Sequence, residues 1–401
     1  MASARQIPAT PAAPLAHGLD GTLVAPDWPP ITMRELCSLL AMFPGCGAPR
    51  EILTVSPRPF SAASIVAVET GSVFIKRHHR SVRDREGLFE EHRFLAHLLG
   101  RGAPVPRVLA AASGETAISS GQWIWEVHEV PTGVDLYADA LSWTPFRSCA
   151  HARSAGEALA RLHLASQGFD APRRRSRPLV ASYTIFAADD PAAALELYFT
   201  ERPSLSQNTI ARQGAQEALV LLAPFHSELR PLLPALPPLW THNDLHASNL
   251  LWSDQSDSAG AAAVIDFGLA DRTTPVHDLA HTIERNIVEW LDLVPASGHS
   301  QSVRVHLDHL QALLNGYQSV RPLSAAEGAA LAPMTALCHA EFALSEADYF
   351  LSVLHSDEKA RLASIDYLVG HAQWLRSTAG PVLLDAIHQH ATSLPLASPT
   401  Q

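Results

Sequence analysis

The spacing of apolar residues passes from mainly strand-like to mainly helical along this chain of 401 residues, and the passage falls at Pro131-Thr132-Gly133. Before that point, short apolar runs follow the two-residue period of strands: EILTV from Glu51, SIVAVET from Ser64, SVFIKRH from Ser72, PRVLAAA from Pro106 and QWIWEVHEV from Gln122. The turn Glu69-Thr70-Gly71-Ser72 makes a hairpin of the second and third. A single helical pattern, REGLFEEHRFLAHLLGRG, follows the third run, with Leu88, Phe94, Leu95, Leu98 and Leu99 on one face and Gly100 and Gly102 at its end. Beyond Gly133 helical spacing dominates, in HARSAGEALARLHLASQ, QNTIARQGAQEALVLLAPFHSELRPLL, SVRVHLDHLQALLNGYQ and ALCHAEFALSEADYFLSVL. Such a division gives an α+β protein of two lobes, a small antiparallel sheet carrying one helix and a larger, mainly helical body.

The boundaries follow from the same reading. Residues 1–28, rich in Ala, Pro and Gly without periodicity, are expected to form a mobile leader. Residues 29–130 make the first lobe, opened by the helix ITMRELCSLLAMF with Thr32 as its N-cap and Pro44-Gly45 as its stop. Residues 131–391 make the second lobe, and 392–401 should fray.

Composition narrows the function classes. A formal net charge of −11 argues against an obligate nucleic-acid partner, which needs a basic footprint. The one basic run, Arg173-Arg174-Arg175-Ser176-Arg177, reads as a solvated loop, with an anion-binding loop near a substrate cleft as the alternative. Four irregularly spaced cysteines fit neither a zinc module nor a disulfide framework and suit a reducing cytoplasm. No segment reaches the roughly 20 apolar residues of a membrane span, so a soluble, cytoplasmic protein without membrane contact is expected.

One stretch breaks the helical pattern of the second lobe. WTHNDLHASNLLW and AVIDFG place His242, Asp244, His246, Asn249 and Asp266 around two strand-like apolar runs. Polar and ionisable groups cost free energy beside a core, so their clustering calls for a ligand or a reaction.

HNDLHASNLLW followed by VIDFG resembles the aminoglycoside phosphotransferase and choline kinase branch of the protein-kinase-like fold, and the resemblance runs from about Pro49 to Trp374. VHDLAHTIERNIVEWL and HAEFALSEADYF are most similar to the subgroup that includes homoserine kinases and bacterial stress-response kinases. The resemblance implies an ATP- and magnesium-dependent kinase that transfers the γ-phosphate to a hydroxyl of a small molecule: an aminoglycoside, an amino alcohol or another antibiotic or metabolite. A Ser/Thr protein kinase of the stress-response type and a nucleotide-binding pseudokinase are the competing readings.

The resemblance also implies roles. Asp244 becomes the catalytic aspartate, Asn249 and Asp266 the magnesium ligands, Lys76 the phosphate-binding lysine and Glu91 its ion-pair partner. The phosphate-covering turn falls within Ser56–Ser64, where Ser61 and Ser64 offer hydroxyls, although SPRPFSAAS contains no glycine. Glu129 and Val130 present backbone groups to the adenine edge, with Glu126 set outside. Asn243 stands where many relatives carry glycine. Acceptor-side candidates are Glu284, Arg285 and Asn286, then Glu341, Ser345, Asp348 and Tyr349 along one helix face. His242 and His246 are expected to brace the catalytic loop, Asp278 to support it, and His163 to be a satisfied core histidine. A zinc reading of His277 and His281, at i and i+4, lacks a third ligand.

Overall fold

In the computed structural model the described residues are 16–17, 23–175, 178–293 and 303–392. Helix α1 (Met33–Leu40) starts in a capping box: Thr32 Oγ1 accepts the Glu35 N–H, and the Glu35 carboxylate accepts the Thr32 N–H at 2.9 Å. Strands β1 (Pro49–Val55), β2 (Ala62–Val68) and β3 (Gly71–His79) follow as a meander, then helix α2 (Arg85–Gly100), capped by Asp84. Strands β4 (Ile118–Ser120) and β5 (Trp123–Glu129) complete an antiparallel sheet of order β1-β2-β3-β5-β4.

The run PRVLAAA is not the fourth strand. Val108 forms only an isolated bridge to His128, with the Leu109 N–H on the Val127 carbonyl at 2.8 Å. Pro104 and Pro106 lack the donors a continued ladder needs, and the rest of that edge of β5 is taken by β4.

The two faces of the sheet bury different partners. Leu36, Leu39 and Phe43 pack with Val66, Ile75 and Val127. On the other side α2 sets Leu88 against Ala117 and Ile124, while its Phe94, Leu95 and Leu98 belong to the large core of the second lobe. Helix α2 therefore belongs to both lobes and couples them.

The second lobe is helical: α3 (Cys149–Ser166), α4 (Thr209–Leu229), α5 (Pro275–Ile287), α6 (Leu307–Val320), α7 (Ala325–Leu337) and α8 (His339–Ser352) are its main helices. Two short ribbons interrupt them, β6 (Leu239–Thr241) with β9 (Asp271–Thr273), and β7 (Leu250–Trp252) with β8 (Ala261–Val264). The first pairs Thr241 with Asp271 and the second Leu250 with Val264, so the loops at 242–249 and 265–270 emerge side by side.

The end of the expected leader is anchored. Asp27 accepts from Tyr349 Oη at 3.0 Å and Lys359 Nζ at 2.7 Å, and Trp28 stacks on His79 at 4.9 Å. Most of the leader, and the tail beyond Thr392, lie outside the described residues. No described helix is long and apolar enough to cross a membrane.

Candidate active site

The loop after β6 is shaped by one buried carboxylate. Asp278, in the first turn of α5, accepts the N–H groups of His242 and Asn243, both at 2.8 Å, and His163 Nε2 at 3.0 Å. Burial alone raises the pKa of Asp278, but the bonds from His163 and His242 outweigh it and hold the group below its ordinary value. His163 is closed off on its other nitrogen by Tyr317 Oη at 2.7 Å. Asn243 takes a left-handed backbone, φ 62, which asparagine tolerates better than most residues, and this turns the chain so that Asp244 faces the cleft.

His242 and His246 brace the loop. The Asp244 N–H donates to His242 Nδ1 at 3.2 Å, so His242 carries its hydrogen on Nε2 and donates it to the Ile265 carbonyl at 2.9 Å. His246 Nδ1 lies 2.8 Å from Ser248 Oγ. Asn249 Nδ2 donates to the Asp244 carbonyl at 2.9 Å, which leaves Asn249 Oδ1 as an acceptor. The Asp244 side chain keeps 19% of its surface exposed, with Arg285 Nη2 at 3.5 Å. Its pKa is pushed up to about 6 by burial, against the opposing pull of Arg285.

Asp266 lies at φ 58 between β8 and a short turn, Phe267–Leu269. Its Oδ1 accepts Lys76 Nζ at 2.8 Å and the Gly268 N–H at 3.3 Å. Burial pushes its carboxyl up, but Lys76 and Gly268 more than reverse this and hold it well below the usual carboxylate range. Lys76, Asp266, Asp244 and Asn249 thus converge from both lobes on one cleft. Asn249 Oδ1 and Asp266 Oδ2 are hard oxygen atoms of the kind magnesium takes, so the donor set fits that ion.

Other expected residues stand elsewhere. Glu91 is not bonded to Lys76: its Oε2 lies 3.2 Å from Arg174 Nη2, and Arg174 also donates to the Gly268 carbonyl at 3.1 Å and, through its N–H, to Asp271 at 2.8 Å. The basic run is therefore not simply a solvated loop, because buried Arg174 ties α2 to the turn after Asp266; Ser176 and Arg177 lie outside the described residues. Ser64 is buried within β2 and leaves Ser61 at the end of the β1–β2 loop. That loop contributes Arg58, whose guanidinium donates to Ser142 Oγ at 3.0 Å, the Ala140 carbonyl at 3.2 Å and Ser248 Oγ at 2.5 Å. Glu129 is exposed, and its N–H is taken by the Arg107 carbonyl at 2.9 Å; Val130 follows it at the exit of β5.

The acceptor-side candidates also divide. Asn286 is a brace: its Oδ1 accepts the Ala247 N–H at 2.9 Å and its Nδ2 donates to Leu245 at 3.0 Å. Glu341 is consumed by the 182–185 loop, accepting Ser182 Oγ at 2.7 Å, Thr184 Oγ1 at 2.9 Å and the N–H groups of Thr184 and Ile185. Ser345 accepts the Val180 N–H at 2.8 Å, and Asp348 faces Arg202 Nε at 3.9 Å. Tyr349 packs edge-on against Phe60 of the β1–β2 loop, with ring centroids 5.3 Å apart. Glu284 stays beside the site: buried, 3.6 Å from Arg285 Nε and 3.2 Å from His371 Nδ1. Arg285 itself lies between the rings of Trp143 and Phe342, at 4.8 and 4.4 Å. His277 and His281 stack edge to face at 4.6 Å, and no third metal ligand groups with them among the described residues.

Sequence reasoning missed Arg58, Arg174 and the side chain of Glu126. Arg58 and Arg174 sit in runs that read as polar loops, and neither run carries a signal of where its partner lies.

Residues 58–323, a stretch that includes Lys76, Asp244, Asn249, Asp266 and Asp278, match the family described as phosphotransferase enzyme family (APH). The chain belongs to this family. Curated relatives of this chain include a homoserine kinase of Caulobacter vibrioides, 30% identical over 302 residues that make up 75% of this chain and 82% of that protein. A homoserine kinase of Cupriavidus pinatubonensis is 30% identical over 237 residues, 59% of this chain and 61% of the relative, so the match spans about three fifths of its length. Among solved structures, a microcompartment-associated aminopropanol kinase superposes with a TM-score of 0.53 at 18% identity, covering 86% of this chain and 94% of its own. An amicoumacin kinase gives a TM-score of 0.53 at 14% identity, covering 84% and 93%. At these identities the structural likeness establishes the kinase-like fold.

Proposed function

We propose that the protein is an ATP- and magnesium-dependent kinase that phosphorylates the hydroxyl of a small amino alcohol or hydroxylated amino acid, with homoserine the first acceptor to try. The observation that carries this reading is the convergence of Lys76 and Asp266 with Asp244 and Asn249 across the lobes. The homoserine kinase relatives support the acceptor class.

Phosphoryl transfer asks a protein mainly for positioning and charge compensation. Asp244, with a pKa near 6, is ionised at neutral pH and exposed enough to accept a hydrogen bond from the acceptor hydroxyl. As the new oxygen–phosphorus bond forms and the bond between the γ-phosphorus and the bridging oxygen breaks, the hydroxyl proton passes to Asp244 and ADP leaves. Asn249, bonded to the Asp244 backbone, keeps that carboxylate in register. Lys76 moves its charge from Asp266 to the nucleotide phosphates. Asn249 Oδ1 and Asp266 Oδ2 are the donors that would hold magnesium, which supplies further charge compensation at the phosphates. Arg58 holds the β1–β2 loop down on the second lobe through Ser142 and Ser248, where loop N–H groups can meet phosphate.

The division of roles has a direct test by calorimetry with ATP and magnesium. Asp244→Asn should bind the nucleotide as the wild type does while losing transfer, whereas Asp266→Ala should lose affinity for the metal–nucleotide itself. Equal loss of binding in both variants would contradict it.

A further inference from the structure

Glu126 stands on β5 directly opposite Lys76 on β3. Paired residues of an antiparallel ladder point to the same face with their Cβ atoms about 5 Å apart, so both side chains enter the layer between the sheet and α2. The Glu126 side chain is 2% exposed, and three imidazoles surround it. Its Oε1 accepts His78 Nε2 at 2.9 Å, and its Oε2 accepts His92 Nε2 at 2.8 Å and His128 Nε2 at 3.0 Å. Those rings come from three elements: β3 itself, α2 and β5. His92 is fixed in turn by Thr116 Oγ1 at 2.8 Å from its Nδ1.

A buried carboxylate is tolerated only when paired or fully hydrogen-bonded. Here burial pushes the pKa of Glu126 up, and the interactions with His128, His78 and His92 reverse the shift, so the group stays ionised. The other two acids near Lys76 are committed elsewhere. Glu91 bonds Arg174, and Asp266 is the carboxylate assigned to the metal.

We propose that Glu126, clamped by His78, His92 and His128, is the positioning residue for Lys76: the fixed anion that holds the lysine toward the nucleotide when Asp266 turns to the metal. The same carboxylate ties β3 to α2 through His78 and His92, so it also sets the spacing of those elements. This inference rests on reading the cleft as an ATP site.

The chain contains two lysines, Lys76 and Lys359, which makes Lys76 measurable. Acylation of the full-length protein at one fixed pH, read by peptide mass spectrometry, gives the reactivity of Lys76 relative to Lys359. Glu126→Gln should change the labelling of Lys76 about tenfold and leave that of Lys359 unchanged. It should also raise the KM for ATP more than it lowers kcat, with the acceptor KM unaltered. Glu126→Asp, which keeps the charge but withdraws it by a methylene, should give an intermediate shift and carries the test if Glu126→Gln does not fold. Wild-type Lys76 labelling in the folded Glu126 variants, or a larger shift in Glu91→Gln, would overturn the inference. So would a stoichiometric metal ion retained by the wild type and lost in Glu126→Gln, since His92, Glu126 and His128 offer ligand atoms within 4.8 Å of one another and a cation there would repel Lys76. Failure of the wild type to bind ATP would instead count against the ATP-site reading, while the labelling result would still decide whether Glu126 is the counter-ion.

Discussion

In the proposed mechanism Asp244 is the base, and burial pushes its pKa up to about 6. A group with a pKa of about 6 is the conjugate base at pH 7.5 and its acid at pH 5. The kcat/KM profile should therefore rise from acid pH, pass half-maximum near 6 and level off above 7. Initial rates in constant ionic strength buffers from pH 4.5 to 8.5 check this; a profile flat across that window would remove Asp244 from the role of base. Asp278 illustrates the opposite shift. Its lowered pKa means it stabilises the fold above the ordinary aspartate value, near pH 4, and loses that contribution as pH falls below it. Asp278→Asn removes a charge that receives three hydrogen bonds and should cost about 2–4 kcal/mol at pH 7. Urea unfolding at pH 7 and pH 3.5 measures it, and the difference from wild type should shrink at the lower pH.

Between elements, the tightest constraint is the crossing of α3 and α6. A Cβ at Gly156 would lie 2.1 Å from the Leu313 carbonyl oxygen, and one at Gly316 would lie 2.0 Å from that of Arg153. Both contacts are backbone, so the helices must separate to admit a methyl group. Gly156→Ala should destabilise by about 2–3 kcal/mol despite the better helix propensity of alanine. Gly100→Ala, at a position with nothing within 4 Å, is the control and should change the melting temperature little. This scale was only partly legible in the sequence. Each strand of the hairpin and each long helix announces itself by its own apolar period. The fourth strand did not, because PRVLAAA has the composition of a strand and Ile118–Ser120 is too short to show one.

Across the whole molecule, what could be read ahead of the structure is what is local in the chain. His242, Asp244, Asn249 and Asp266 lie within one hairpin, and the distances that join them follow from the pairing of β7 with β8 and β6 with β9. Several of the residues that stand elsewhere than expected meet partners far apart in sequence. Glu91 meets Arg174, Glu341 meets the 182–185 loop, and Asn286 meets Ala247 and Leu245. Charge and spacing on one helix cannot tell a cleft-lining acid from one that caps a distant loop. The lobes themselves are joined by α2, by Arg58 and by the ring of Phe60 on Tyr349.

The central claim is that this cleft transfers phosphate to a small hydroxyl compound. Its most direct test is mass spectrometry of reactions containing the purified protein, ATP, magnesium and single acceptors: homoserine, aminopropanol and an aminoglycoside, with Asp244→Asn beside the wild type. The account predicts a gain of one phosphate on homoserine or another of these amino alcohols, absent with the variant. Bound ATP with no phosphorylated product from any acceptor, or a product formed equally by Asp244→Asn, would contradict it.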